Sequence, residues 1–151
     1  MRGAAPGDTW PMKPPRYDTV RDLALTTDAL LLERVRVLLD NGYRRQLWLM
    51  FLDERDRQMP LIMPTDIPKR PRPGDTVGFG ESLVTLNDDV GAASIVITLE
   101  RRGSDSISEI DAEWLRLVCA ACVYADVRLR GPLLCHSNGV RWVGAEDYAI
   151  G

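Results

Sequence analysis

The residues of this chain whose types and spacing could do chemistry are Cys119, Cys122, Cys135 and His136, together with the pair Ser108 and Asp111. Cys119-x-x-Cys122 with Cys135-His136 supplies four soft groups of the kinds that hold zinc. Their placement argues against a shared ion. The first two cysteines fall on the apolar side of an amphipathic helix, where a thiol packs as a small hydrophobe. Cys135 and His136 are consecutive on a predicted strand, so they point to opposite faces of the sheet. A redox pair would favour a helix amino terminus, and this pair sits mid-helix. His136 is the only histidine, and no Ser/His/Asp or Cys/His set is evident, so no nucleophile is assigned. No metal, cofactor or catalytic residue is expected.

Ser108-Glu-Ile-Asp111 has a purely structural use. A serine followed three residues later by an acid matches a capping box, in which hydroxyl and carboxylate each satisfy an orphan backbone N–H. Asp111 could equally be the cap itself. Gly74-Asp-Thr-Val-Gly78-Phe-Gly80 lacks the Gly-Lys-Ser/Thr ending of a phosphate loop and reads as a turn. Lys69-Arg70-Pro71-Arg72, with Arg44, Arg45, Arg101 and Arg102, could form a basic patch. Asp53, Glu54, Asp56 and Asp66 lie close in sequence and dilute it, so a solvated loop is favoured over nucleic-acid contact.

Several elements must position these groups. Thr26, Thr27 and Asp28 offer caps for a helix whose Leu31, Val35 and Leu38 recur at helical spacing, with Gly42 where a left-handed terminator belongs. Gln46 to Leu52 is an unbroken apolar run, a strand covered on both faces. Met59 to Met63 returns beside it, and Pro60 and Pro64 confine that strand to an edge or keep it short. Thr65 to Pro73 reads as loop, and Ser82 to Asn87 as a short helix. Ala93 to Leu99 is a second buried strand. The helix after Asp111 groups Leu115, Val118, Cys119 and Cys122 on one face, leaving Glu113 and Arg116 for solvent. Val127 and Leu129 alternate with Arg128 and Arg130 as in a half-exposed strand, Gly131-Pro132 marks a bulge, and Asn138-Gly139 turns a hairpin into Val140 to Val143.

The 151 residues suit one domain, burying roughly 70% of the unfolded surface on folding. The expected architecture is α/β: residues 19–151 form a three-layer domain, with a mixed sheet of about five strands flanked by helices. Residues 1–18, with Pro6, Pro11, Pro14 and Pro15, read as a flexible lead-in from which Trp10 or Tyr17 could tack onto the body. A formal charge of −3 gives no general attraction to nucleic acid or membrane. The amino terminus has no apolar export core, and three cysteines suit a reducing compartment, so a cytoplasmic location is expected.

The order helix, two strands, helix, strand, helix, two strands, with Phe51-Leu52-Asp53 closing the first strand and Ser108-x-x-Asp111 opening the last long helix, resembles the JAB (MPN) domain family, most closely its bacterial RadC-like branch. The resemblance covers roughly Tyr43 to Val143. Active members hold zinc through His-x-His at a strand end and the aspartate of a following Ser-x-x-Asp, with a glutamate as acid/base. Counted back from Ser108 without gaps, the histidine positions fall on Thr98 and Glu100, and the glutamate near Arg45 or Gln46. Only Ser108 and Asp111 match. The resemblance thus implies a kept scaffold with a vestigial site at Thr98, Glu100, Ser108 and Asp111, and a non-catalytic module that binds an unknown protein partner or itself. The proline-rich start and the strand near Met59 would offer the contacts. The alternatives are a metal-dependent (iso)peptidase of atypical ligand set, with Glu100 as base and Asp111 as ligand, and a nucleic-acid accessory protein using the arginines.

Overall fold

The computed structural model describes residues 23–149; the expectations for residues 1–18 lie outside them. Element order is α1 (Asp28–Leu39), β1 (Gln46–Leu52), β2 (Gln58–Asp66), α2 (Asp75–Val90), β3 (Ser94–Glu100), α3 (Glu109–Ala125), β4 (Arg128–His136), β5 (Gly139–Trp142) and α4 (Ala145–Tyr148). The strands form one five-stranded mixed sheet in the order β2-β1-β3-β4-β5. Only β3 and β4 run parallel, and α3 is the crossover that such a pair requires.

The two apolar runs become the central neighbours β1 and β3, because only a strand covered on both faces keeps every side chain from water. Alternation then divides the core. Leu47, Leu49, Phe51, Ile95, Ile97 and Leu99 pack against Leu83 of α2 and against Trp114, Leu115, Val118 and Cys122 of α3. Met50, Leu52 and Val96 face the other way and meet Leu31 and Val35 of α1, with Leu133, Cys135 and Val140 beside them. The result is three layers, the expected α/β class.

β2 does lie at the sheet edge, as its prolines require, and the ladder slips between Met50 and Leu52 opposite Pro60. It runs on to Asp66, so Thr65 and Asp66 belong to the strand rather than to the expected loop. The bulge at Gly131-Pro132 is present, two β4 residues standing opposite Ile97 alone, and β5 returns from the turn at Asn138. No helix among the described residues is long and apolar enough to cross a membrane.

Three expectations need correction. α2 spans Asp75–Val90, not a short helix over Ser82 to Asn87. Gly78 and Gly80 each cost a helix roughly 1 kcal/mol, so they read as turn. Tertiary packing overrides them: Phe79, Leu83, Leu86 and Val90 reach the core, and the Tyr124 ring lies directly over Gly80. Next, α1 ends at Asp40, whose own positive φ of 59° turns the chain out of the helix, and not at Gly42. Gly42 serves a different need. A Cβ there would run into the carbonyl oxygens of Arg101 and Cys135, while its N–H donates to the His136 carbonyl at 2.7 Å. Gly42→Ala therefore has no room to relax, and a loss of about 3 kcal/mol is expected in urea denaturation. Finally, Arg130 is not half-exposed. It is buried, donating to the Leu25 carbonyl at 2.9 Å and pairing with Asp56 at 3.4 Å.

Candidate functional site

β3 ends in Glu100, and Arg101 follows it directly; one residue's difference sends them to opposite sides of the sheet. Arg101 emerges on the α2/α3 side. There Ser108 caps α3 and the carboxylate of Asp111, fully buried, closes a complete capping box: the Asp111 N–H donates to Ser108 Oγ and the Ser108 N–H to Asp111 Oδ2, both at 3.0 Å. The same carboxylate receives Arg101 Nη2 at 2.8 Å and Nε at 3.1 and 3.2 Å. The remaining guanidinium hydrogens go to the carbonyls of Arg102, Ser104 and Ser106 at 2.5–3.3 Å, which ties down the loop before α3. Burial pushes the Asp111 carboxyl upward, but the Arg101 hydrogen bonds and charge with the Ser108 N–H outweigh it and hold it below the usual range. Arg45 stands 3.9 Å from the same carboxylate, its buried Nη1 without a hydrogen bond.

Glu100 lies on the α1 side, 5% exposed. Its Oε2 accepts from the backbone N–H groups of Tyr43 and Arg44 at 2.7 and 3.1 Å. Its Oε1 accepts from Gln46 Nε2 at 2.6 Å and Trp48 Nε1 at 2.7 Å. Four donors fill the four lone-pair directions of the carboxylate. Desolvation raises its proton affinity, and those four hydrogen bonds reverse the effect, leaving it below the ordinary value. An open cleft of about 200 Å³ adjoins it, floored by Leu38, Leu39 and Trp48. Thr98, two residues back, is buried on the same side among Val35, Leu38 and Met50.

Of the four positions that the resemblance singled out, Ser108 and Asp111 therefore meet in a cap, while Thr98 and Glu100 lie across the sheet from them. The gap-free count lands on the face opposite Asp111: the side chains that share the Asp111 side are those of Leu99 in β3 and of Arg101 just past its end. Arg101, named at first only as part of a basic patch, is the partner that sequence reasoning missed. Period-two alternation along β3 was the signal that could have found it.

The soft groups are also separated. Cys122 packs in the core beneath α3 and Cys135 in the core beneath α1, so the sheet stands between them. Burial pushes the thiols of Cys122 and Cys135 up to about 12, helped by Cys119 for the first and by Glu100 and Asp40 for the second. Cys119 donates to the Tyr148 hydroxyl at 3.4 Å. His136 accepts from the Asn138 N–H at 3.3 Å and borders an open cleft of about 480 Å³ with Arg36, Asp40 and Arg141. Among the described residues no group of three or more His, Cys, Asp or Glu side chains is placed to hold a metal ion. Cys122 and Cys135 are expected to resist a thiol reagent at pH 8 until the protein is unfolded; prompt native-state labelling of both, read by mass spectrometry, would contradict this burial.

The arginines do not assemble into a free basic patch. Arg44 pairs with Asp66 at 2.8 Å, Arg70 with Glu113 at 3.6 Å and Arg72 with Asp75 at 3.5 Å. Arg102 donates to the Tyr43 carbonyl at 2.8 Å. No protein-family model matches the chain, and a search of curated proteins returns no match.

Proposed function

We propose that this protein is a non-catalytic, JAB-like α/β module that works by binding a protein partner or a second copy of itself. The observation that carries this is the state of its two most buried carboxylates. Asp111 is engaged by Arg101 and the α3 cap, and Glu100 by four donors, so both carboxylates are held by groups from within the chain. They also sit on opposite sides of the sheet, which removes the pairing a Glu100 base and an Asp111 ligand would need. A general base near neutrality wants raised proton affinity, and both carboxyls are shifted the other way.

The test is a photo-crosslinking scan of the full chain in its native host, with a photoreactive residue introduced singly at exposed positions on every face. Adducts of defined mass from a contiguous set of positions are expected. A scan with no adduct anywhere, or stoichiometric zinc with a peptide- or isopeptide-bond cleavage that Asp111→Asn abolishes, overturns the proposal in favour of the hydrolase. Binding to a DNA or RNA duplex that falls steeply with salt would turn it toward the nucleic-acid reading.

A further inference from the structure

Deepening the interaction-module proposal, and resting on it, we infer that the outer face of α2 and the C-terminal end of α3 form the docking surface, and that the partner presents a cationic segment with an apolar face. Val77 and Val84, two turns apart on one stripe of α2, are 48% and 39% exposed. Between them Gly80 lies bare, and the Tyr124 ring reaches across from α3 to cover it; a Cβ on Gly80 would come within 2.6 Å of that ring. Tyr124 is itself 51% exposed, and Val123 beside it 81% exposed, the largest exposure of any bulky apolar side chain among the described residues. Val77, Val84 and Tyr124 thus flank Gly80 where α2 meets α3, and Val123 precedes the tyrosine at the end of α3. Toward the start of α2 lies an open groove of about 360 Å³ between Thr76 and Leu117 and Ala120 of α3, its rim charged by Arg72, Arg116 and Glu113.

Charge indicates what the surface would accept. α2 carries Asp75, Glu81, Asp88 and Asp89, with no lysine, arginine or histidine. Asp126 caps α3 at the same end and is exposed. Among the described residues none of Glu81, Asp88, Asp89 and Asp126 forms an ion pair; Glu81 is reached only by the Tyr124 hydroxyl at 3.5 Å. Of the nearby cations, Arg72 pairs with Asp75 and Arg116 with Glu109 and the Tyr148 carbonyl, which leaves these four acids facing one exposed arginine, Arg128 at the start of β4. An exposed apolar stripe rimmed by unpaired acids is complementary to a basic amphipathic helix laid along the Val77–Val84 stripe of α2. The β2 edge is a poorer site, since Pro60 and Pro64 each lack the N–H an added strand would need.

The probe is a fluorescent leucine–lysine amphipathic peptide of about 18 residues, five helical turns, titrated with the full chain and followed by anisotropy. Saturable binding that weakens between low and physiological salt is expected. The same peptide with glutamate for lysine should not bind. Val77→Ser/Val84→Ser and, separately, Asp88→Lys/Asp89→Lys alter only exposed side chains, and each should weaken binding at least about tenfold. No binding of the lysine peptide at low salt, equal binding of the glutamate peptide, or wild-type affinity in both variants overturns the assignment. If photo-crosslinks then cluster on another face, this surface fails while the interaction module stands; if no face gives an adduct, the module itself fails.

Discussion

Arg101→Met is expected to cost about 3–5 kcal/mol of folding stability, among the largest losses any single substitution in this chain should cause. The guanidinium is 8% exposed and Asp111 is wholly buried, so removing the cation strands a carboxylate in the core with only the Ser108 N–H bonded to it and Arg45 3.9 Å away. Three carbonyls of the loop before α3 lose their donor at the same time. Asp111→Leu alone should do comparable damage from the other side, leaving Arg101 unpaired and breaking the capping box. The informative variant is the double one. A buried ion pair rarely outperforms well-packed apolar side chains of similar volume, because desolvating both charges offsets most of their attraction. Arg101→Met/Asp111→Leu should thus lose distinctly less than the sum of the two single variants, a coupling of at least about 1 kcal/mol in a double-mutant cycle read by urea denaturation. Additive losses would mean that the pair is not the unit that holds the end of β3 to the start of α3.

The same pair shows how far a sequence can be read and where reading stops. β1 and β3 were legible because an unbroken apolar run has few other folded uses, and the hairpin was legible because Asn138-Gly139 suits a tight turn. The capping box was legible because its partners are three residues apart and touch through local geometry. Arg101 meets Asp111 ten positions further on, across the loop between β3 and α3, and counting along that loop placed the wrong β3 parity opposite the cap. α2 was half legible: its core contacts are long-range, whereas the glycines that argue against a helix are local. Gly42 was misassigned for the same reason. Its glycine is demanded by two carbonyls from β3 and β4, distant in sequence, and not by the end of α1. Period and turn chemistry report on near neighbours; the position of a side chain against another layer is decided by packing.

Glu100→Gln tests whether that carboxylate is structural, and the expected result is a stability loss of about 2–4 kcal/mol. A carboxylate only accepts, and here each oxygen faces two donors. An amide must turn its own NH2 toward one of those pairs. Gln46 could rotate its amide to offer an oxygen, but the Trp48 indole and the two backbone N–H groups cannot, so at least one donor is left facing another. The pH dependence gives a second readout. The folded-state proton affinity of Glu100 is lowered relative to an unfolded glutamate near 4.3. Its contribution is therefore fully present above about pH 5 and is lost as pH falls through the folded value, because the unfolded chain binds the proton first. Asp111 and Asp53, both shifted the same way, add to this acid limb. The urea midpoint of the wild-type protein should decline between about pH 5 and pH 2, and Glu100→Gln should start lower and decline less steeply over that window. A variant as stable as the wild type, with an unchanged acid limb, would show that the Tyr43-Arg44 loop is anchored to the sheet by something other than this carboxylate.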